Sequence, residues 1–344
     1  MRARNLQAAL SLLACIAASP CPGQTNIYSL NAVGYMNLTC PPGFTLISDP
    51  FYVFPNNDLI NEIDNTLGYY NGCQVLFWQN GTWVTDTANN NPTPPGTATN
   101  GWVEPHGPMS LPPGGGAAFY NPCNASLTIT FVGTVGSGVL PNTLNPGLNL
   151  VSSIIPASGD LSTNTLMSFP SLAGGQFDGD QLFLMFNSGN GSSGYTTYTV
   201  DSLNYNPPGN HGWDGLPGQP DPVLNFGQAF WYRAGNRAVP WTENYTVNGS
   251  DIVTPKVVQA KTSAAVSSAA ISLDAVQSPA MSKSRHCQLT WTGRAGKTHV
   301  VEASSDLKKW KPVGTNFWPS GKFIYADPVP ATNNLRFYRS FALP

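Results

Sequence analysis

The chain has 344 residues, of which 10% are charged, 34 are Gly and 31 are Pro, with 9 Trp, 13 Tyr and 16 Phe. So much aromatic surface to bury excludes a disordered chain, and the Gly and Pro content points to many short strands joined by tight turns. The net charge of −2 is unevenly divided: residues 25–249 carry thirteen acidic and two basic side chains, and residues 250–344 carry five acidic and twelve basic ones. An acidic body of that kind excludes nucleic acid and anionic membrane as its partners, because both repel it.

Arg2 and Arg4 precede an apolar run from Leu6 to Ala18, the pattern of an export signal, with cleavage expected near Gly23-Gln24. A second reading is Leu12-Leu13-Ala14-Cys15 as a lipoprotein box with Cys15 lipidated. The run is short for a bilayer span and no second one follows, so the expectation is a secreted or cell-surface protein without a transmembrane segment.

Residues 24–139 are expected to form an opening strand, Asn26 to Asn37, and a first β unit. Phe44–Ile47 reads as a strand, and Asp58 to Leu67 holds one helical turn or two. Val75–Trp78, Asn80-Gly81 and Thr82–Val84 read as a hairpin, because Asn-Gly supplies the positive φ of a tight turn. A Pro/Asn/Thr-rich loop from Thr87 to Asn100 leads to Trp102 and to strands at Ala117–Tyr120 and Leu127–Val132. Residues 140–249 repeat this order, with a Gly/Ser-rich loop at Asn187 to Gly194 and a closing strand at Asn244–Val247. Residues 250–284 lack aromatics and read as a flexible linker. In residues 285–344 five strands are expected, around Gln288–Trp291, His299–Ala303, Lys309–Val313, Lys322–Tyr325 and Leu335–Arg339, which suits a small sandwich that moves independently.

The order repeats because four blocks recur. Pro42-Gly43-Phe44 matches Pro146-Gly147-Leu148, and Asn71-Gly72-Cys73-Gln74 matches Asp178-Gly179-Asp180-Gln181. Gly101-Trp102 matches Gly212-Trp213, and Gly116 with Ala118-Phe119-Tyr120 matches Gly227 with Ala229-Phe230-Trp231. Offsets of 104 to 111 residues in fixed order predict an internal duplication with Trp102 on Trp213 and Phe119 on Phe230. The fold expected is all-β: two duplicated units, sandwich or barrel-like, plus a small C-terminal β-sandwich.

The series Leu289-Thr290-Trp291, Glu302 to Trp310, Asp327-Pro328 and Arg336-Phe337-Tyr338-Arg339 resembles a fibronectin-III-like module. The front part, with Val33-Gly34-Tyr35 and the two Gly-Trp blocks, resembles an uncharacterised family of secreted proteins from Verrucomicrobia-type bacteria. The resemblance implies export and an all-β build, and brings no activity and no catalytic residues.

Chemistry-bearing clusters are few. His211-Gly212-Trp213-Asp214 joins an imidazole, an indole and a carboxylate, and with Trp102 makes the candidate ligand site. Asp178-Gly179-Asp180 is a weak candidate for a cation or an acid–base pair. Gly-x-Ser-x-Gly, a metal-spaced His/Cys set and a phosphate loop are missing from the sequence, and no cofactor is implied. Cys73 and Cys123 are expected to form a disulfide, replaced in the second unit by an ion pair of Asp180 or Asp178 with Arg233 or Arg237; Cys40 with Cys123 is the rival pairing. The function expected is a non-catalytic structural or binding role. A polysaccharide-binding protein whose exposed Trp rings stack on sugars is the alternative, and a hydrolase with an unrecognised carboxylate pair the third reading.

Overall fold

The computed structural model describes residues 27–28, 32–53, 56–65, 68–90, 101–187, 193–206, 210–214, 220–246, 270–274, 286–292, 295–320, 322–330 and 335–343. The expected leader lies outside them, as does residue 15. Of the expected linker only Ala270–Asp274 is described, and it is a strand.

The chain opens with β1 (Ile27–Tyr28) and β2 (Ala32–Cys40). The first unit continues through β3 (Gly43–Ile47), β4 (Phe51–Tyr52), a helical turn α1 (Leu59–Glu62), β5 (Gln74–Gln79), β6 (Thr82–Thr87), β7 (Ala117–Asn121) and β8 (Leu127–Val135). The second unit is β9 (Gly138–Leu144), β10 (Gly147–Val151), β11 (Gly159–Asp160), β12 (Gln181–Asn187), β13 (Ser193–Asn206), β14 (Asn210–Asp214), β15 (Val223–Leu224), β16 (Phe230–Ala234) and β17 (Val239–Tyr245). The C-terminal part comprises β18 (Ala270–Asp274), β19 (His286–Thr292), β20 (Lys297–Ser304), β21 (Lys311–Trp318), β22 (Lys322–Pro330) and β23 (Leu335–Ala342). The fold is all-β, in several sheets; none closes into a barrel.

The two units share one strand order. In the first, β2 pairs antiparallel with β8 and a second sheet runs β3-β7-β5-β6; in the second, β9 pairs with β17 and the sheet runs β10-β16-β12-β13, extended by β14. The Asn80-Gly81 hairpin forms as expected, with φ of 51° and 81° and Gln79 facing Thr82. Ser48 N donates to Gly227 O at 2.9 Å, and its counterpart Ser152 N donates to Gly114 O at 3.0 Å, so each unit hydrogen-bonds reciprocally to the other.

The register of that correspondence differs from the block match. Leu46 faces Ala118 and Leu150 faces Trp231; Thr45 faces Phe119 and Asn149 faces Tyr232. Phe119 therefore corresponds to Tyr232, two residues beyond the expected Phe230. Trp102 and Trp213 do share a context: each bridges to the residue that closes the hairpin sheet, Ala88 or Val200.

One core, running from Ala32 and Met36 to Trp241 and Tyr245, is shared by both units. The outward faces of the two hairpin sheets meet in a smaller cluster with Leu46, Ala118, Leu150, Ala229 and Trp231 at its centre. The C-terminal strands do not form a separate module. β23 pairs with β2, from Val33 opposite Tyr338 to Met36 opposite Leu335, which makes one sheet β21-β20-β23-β2-β8-β4. The reason is that β2 is apolar on both faces: Met36 and Cys40 enter the main core, while Val33 and Tyr35 pack with Leu289, Trp291 and Tyr338 of the C-terminal part. The expectation of an independently moving module is corrected accordingly.

Candidate functional site

The Gly-Trp blocks are core devices. Gly101 and Gly212 have φ of +84° and +88°, which L side chains rarely adopt. A Cβ at Gly101 would also meet the Asn65 carbonyl oxygen at 2.4 Å. The turn drives the following ring inward: Trp102 is 0% exposed and Trp213 5%. Trp102 Nε1 donates to Ile63 O at 2.8 Å and Trp213 Nε1 to Ser162 Oγ at 3.0 Å, so each indole pins the segment that precedes its hairpin sheet. Neither ring is presented at the surface as a sugar platform requires.

His211 shares a face of β14 with Trp213, while Asp214 is exposed on the other face, so the expected His211–Asp214 constellation does not converge. His211 Nδ1 instead lies 2.5 Å from Asp221 Oδ2, joining β14 to the approach to β15. A carboxylate on Nδ1 fixes a histidine tautomer and leaves Nε2 as a base. Ser162 Oγ accepts from Trp213 Nε1 and so holds the indole. Asp178 and Asp180 also part company. Asp178 accepts from Ser202 N and Oγ, both at 2.8 Å. Asp180 is buried and accepts from Tyr232 OH at 2.9 Å and Gly235 N at 2.7 Å.

The disulfide expectation is overturned: Cys40, Cys73, Cys123 and Cys287 are free thiols. Cys73 is enclosed while Cys123 is exposed, and burial pushes the thiols of Cys40, Cys73 and Cys287 up to about 12, which keeps them protonated and inert. The proposed ion-pair substitute is absent too. Arg233 reaches Gln181 Oε1 at 3.5 Å, and the Arg237 guanidinium lies 5.4 Å above the Phe177 ring. Asp180 does occupy the place of Cys73, but neutral donors satisfy it.

Among the groups that sequence reasoning missed are the buried carboxyls of Asp49, Glu62, Asp86 and Glu243. Glu243 was within reach of pattern reading. β17 alternates strictly, and Glu243 falls on the inward face with Trp241 and Tyr245. Its Oε1 accepts from Ile154 N at 2.9 Å and its Oε2 from Ile155 N at 3.1 Å. In the first unit Asp49 Oδ1 accepts from Phe51 N at 2.9 Å, while Asp49 Oδ2 and both Glu62 oxygens are buried without a hydrogen-bond partner. Among the described residues no group of three or more His, Cys, Asp or Glu side chains is placed to hold a metal ion.

Where the hairpin sheets meet, Trp78, Trp83 and Trp231 lie edge to face with centroids 5.4–5.5 Å apart, and Trp83 is 40% exposed. Comparison with protein-family models, curated proteins and solved structures returns no match.

Proposed function

We propose that the chain is a non-catalytic, secreted or cell-surface protein that works through binding or structure, built on an internally duplicated β unit. The observation that carries this reading is how the candidate site residues of the body and their partners are used. Asp178, Asp180, His211, Asp221 and Glu243 each engage a donor or partner on another strand or turn, and so serve the fold. Duplication is supported by matched backbone bonds: Gly72 N to Ala88 O corresponds to Gly179 N to Val200 O, and Leu59 N to Met109 O corresponds to Leu161 N to Pro222 O. Export rests on Arg2, Arg4 and the apolar run after them. Expression with the leader in a bacterial host tests the reading. The chain is expected in the envelope or medium with residues 1–23 removed, inert toward glycoside, ester and peptide substrates. Cytoplasmic retention with an intact leader, or turnover abolished by His211→Ala, overturns it.

Polysaccharide binding is the second reading; with Trp102 and Trp213 buried, it rests on the Trp83 edge of the indole cluster, which is 40% exposed. Ring stacking depends little on charge, so retention on insoluble polysaccharide should survive high salt and be lost in Trp83→Ala.

A further inference from the structure

Glu243 makes one contact that its hydrogen count decides. Oε2 lies 2.7 Å from Ser153 Oγ, and the same hydroxyl lies 2.7 Å from Ile155 O. A serine hydroxyl has one hydrogen, and a carbonyl oxygen brings none. Both contacts are hydrogen bonds only if the carboxyl supplies the second proton. Ser153 Oγ then donates to Ile155 O and accepts from Glu243, and the Ile155 N–H is shared between Glu243 Oε2 at 3.1 Å and Ser153 Oγ at 3.2 Å. An ionised Glu243 would leave the hydroxyl facing two acceptors with one hydrogen.

The matching place in the first unit is solved differently and reaches the same state. Asp49 corresponds to Ser153, Phe51 to Ile155, and Phe131 takes the position of Glu243. Asp49 caps the Phe51 amide with one oxygen; its other oxygen is buried without a donor, and Glu62 has only the neutral Asn57 amide beside it. Two neighbouring buried carboxyls with neutral donors alone beside them cannot both be charged there.

We propose that the body is closed by two proton-dependent latches built around the corresponding residues Ser153 and Asp49, Glu243 with Ser153 in one unit and Asp49 with Glu62 in the other, each holding a carboxylic acid proton that rising pH removes. Among the described residues the surroundings supply no countercharge. Glu243 faces Leu140 of β9, Ser153 and the amides after β10, all uncharged. Arg339 acts on Tyr245, two residues further along β17, and is itself bound to Glu302 at 2.8 Å. Glu62 faces Asp49 and, less strongly, Asp58, with the Asn57 amide beside it. Burial accordingly holds the Asp49 and Glu62 carboxyls well above the usual carboxylate range and raises Glu243 from 4.5 to about 7.

The direction of the effect follows from where the protons are held. Each group binds its proton more tightly folded than unfolded, so the latches contribute fully in acid and are lost as pH rises. For Glu243 the window runs from 4.5 to about 7, which corresponds to roughly two orders of magnitude in the folding equilibrium constant.

Urea unfolding of the whole chain at pH 5, 6, 7 and 8 tests the proposal with wild type, Glu243→Gln and Glu62→Gln. The wild-type midpoint is expected to fall with pH. Glu243→Gln, whose amide N–H replaces the acid O–H, is expected to match wild type at pH 5 and to have an about 100-fold larger folding constant at pH 8. Glu62→Gln is expected to remove part of the remaining slope. A wild-type midpoint that does not change with pH, or an unchanged slope in Glu243→Gln, overturns the proposal. If Glu243→Gln does not fold, infrared spectra of wild type decide: a protonated carboxyl band at pH 6 supports the latches and its absence overturns them. Calcium chloride is a separate arm at pH 7, where a raised wild-type midpoint abolished in Glu62→Gln would assign Asp49 and Glu62 to a cation and overturn the first latch.

Discussion

The two units follow one strand order but treat their outer strand pair differently. In the first, β2 and β8 are flanked by β23 on one side and β4 on the other; in the second, β9 and β17 remain a two-stranded ribbon. The difference lies in the residues that leave the core. Tyr35 on β2 is 2% exposed beneath the C-terminal strands, while its counterpart Val139 on β9 is 65% exposed. Where β2 has Asn37, β9 has Pro141, which cannot donate to a further strand. A few side chains on one strand therefore decide whether a unit recruits more sheet or ends its edge. The C-terminal part supplies β20, β21 and β23 and takes β2 as their neighbour, so the fold of residues near 340 depends on residues near 35.

The sharpest way to break this comparison is Phe337→Ala. Phe337 is fully buried, enters the main core from β23, and lies 6.2 Å from the Phe51 ring. Truncation of a buried Phe costs about 3–5 kcal/mol. Because β23 is shared, the loss should lower the urea midpoint of the first unit together with that of the C-terminal strands, followed by tryptophan fluorescence and by protease sensitivity. If the first unit's midpoint is unchanged, the shared sheet is not what holds it.

A smaller effect separates the two edges directly. At Gly34 a Cβ would meet Arg336 O at 2.7 Å and Phe337 Cδ1 at 2.6 Å, contacts that require the β2–β23 pairing to give. Gly34→Ala should cost about 1–3 kcal/mol by overpacking. The matching glycine of the second unit, Gly138, has nothing within 4 Å of such a Cβ, and only its φ of +98° opposes alanine. Gly138→Ala should cost about 1 kcal/mol through backbone strain. Thermal denaturation of the two variants compares them, and the reverse order would contradict the edge argument.

What was legible in the sequence is what local chemistry dictates. Asn80-Gly81 and the Gly-Trp pairs were readable because a positive φ restricts residue choice, and the five C-terminal strands were readable from alternation. The register of Phe119 was not. A slip of two residues keeps every side chain on its own face, so hydrophobic pattern cannot distinguish Phe230 from Tyr232 as its counterpart. The joining of β23 to β2 was hidden for another reason, since pairing across three hundred residues leaves no local mark. The disulfide failed because an even cysteine count says nothing of burial, and Cys73 and Cys123 differ there. Glu243 was a missed signal: an acid on the inward face of a strict alternation marks a polar interior site.

The last contrast is between the body and the C-terminal sandwich, and it is one of sign. His299 on β20 is buried, stacks on Trp318 with centroids 3.5 Å apart and an interplanar angle of 6°, and has no hydrogen-bond partner for either ring nitrogen. An imidazolium there would lose its hydration without gaining an acceptor, and burial accordingly lowers the His299 pKa from 6.5. The unfolded chain therefore binds this proton more readily than the folded one. The contribution of neutral His299 is complete above the unfolded value of 6.5 and is lost as pH falls through the lower folded value. That is opposite to Glu243 and the Asp49–Glu62 pair, whose contribution declines as pH rises. Stability should pass through a maximum in mildly acidic solution, with a shallow acid flank set by His299. His299→Phe keeps an aromatic ring against Trp318 and removes the titration. It should flatten the acid flank of the pH–midpoint curve and leave the alkaline flank as in wild type. This is the smallest of the three effects and the most selective, because loss of the alkaline flank in His299→Phe would mean that the two regions do not titrate separately.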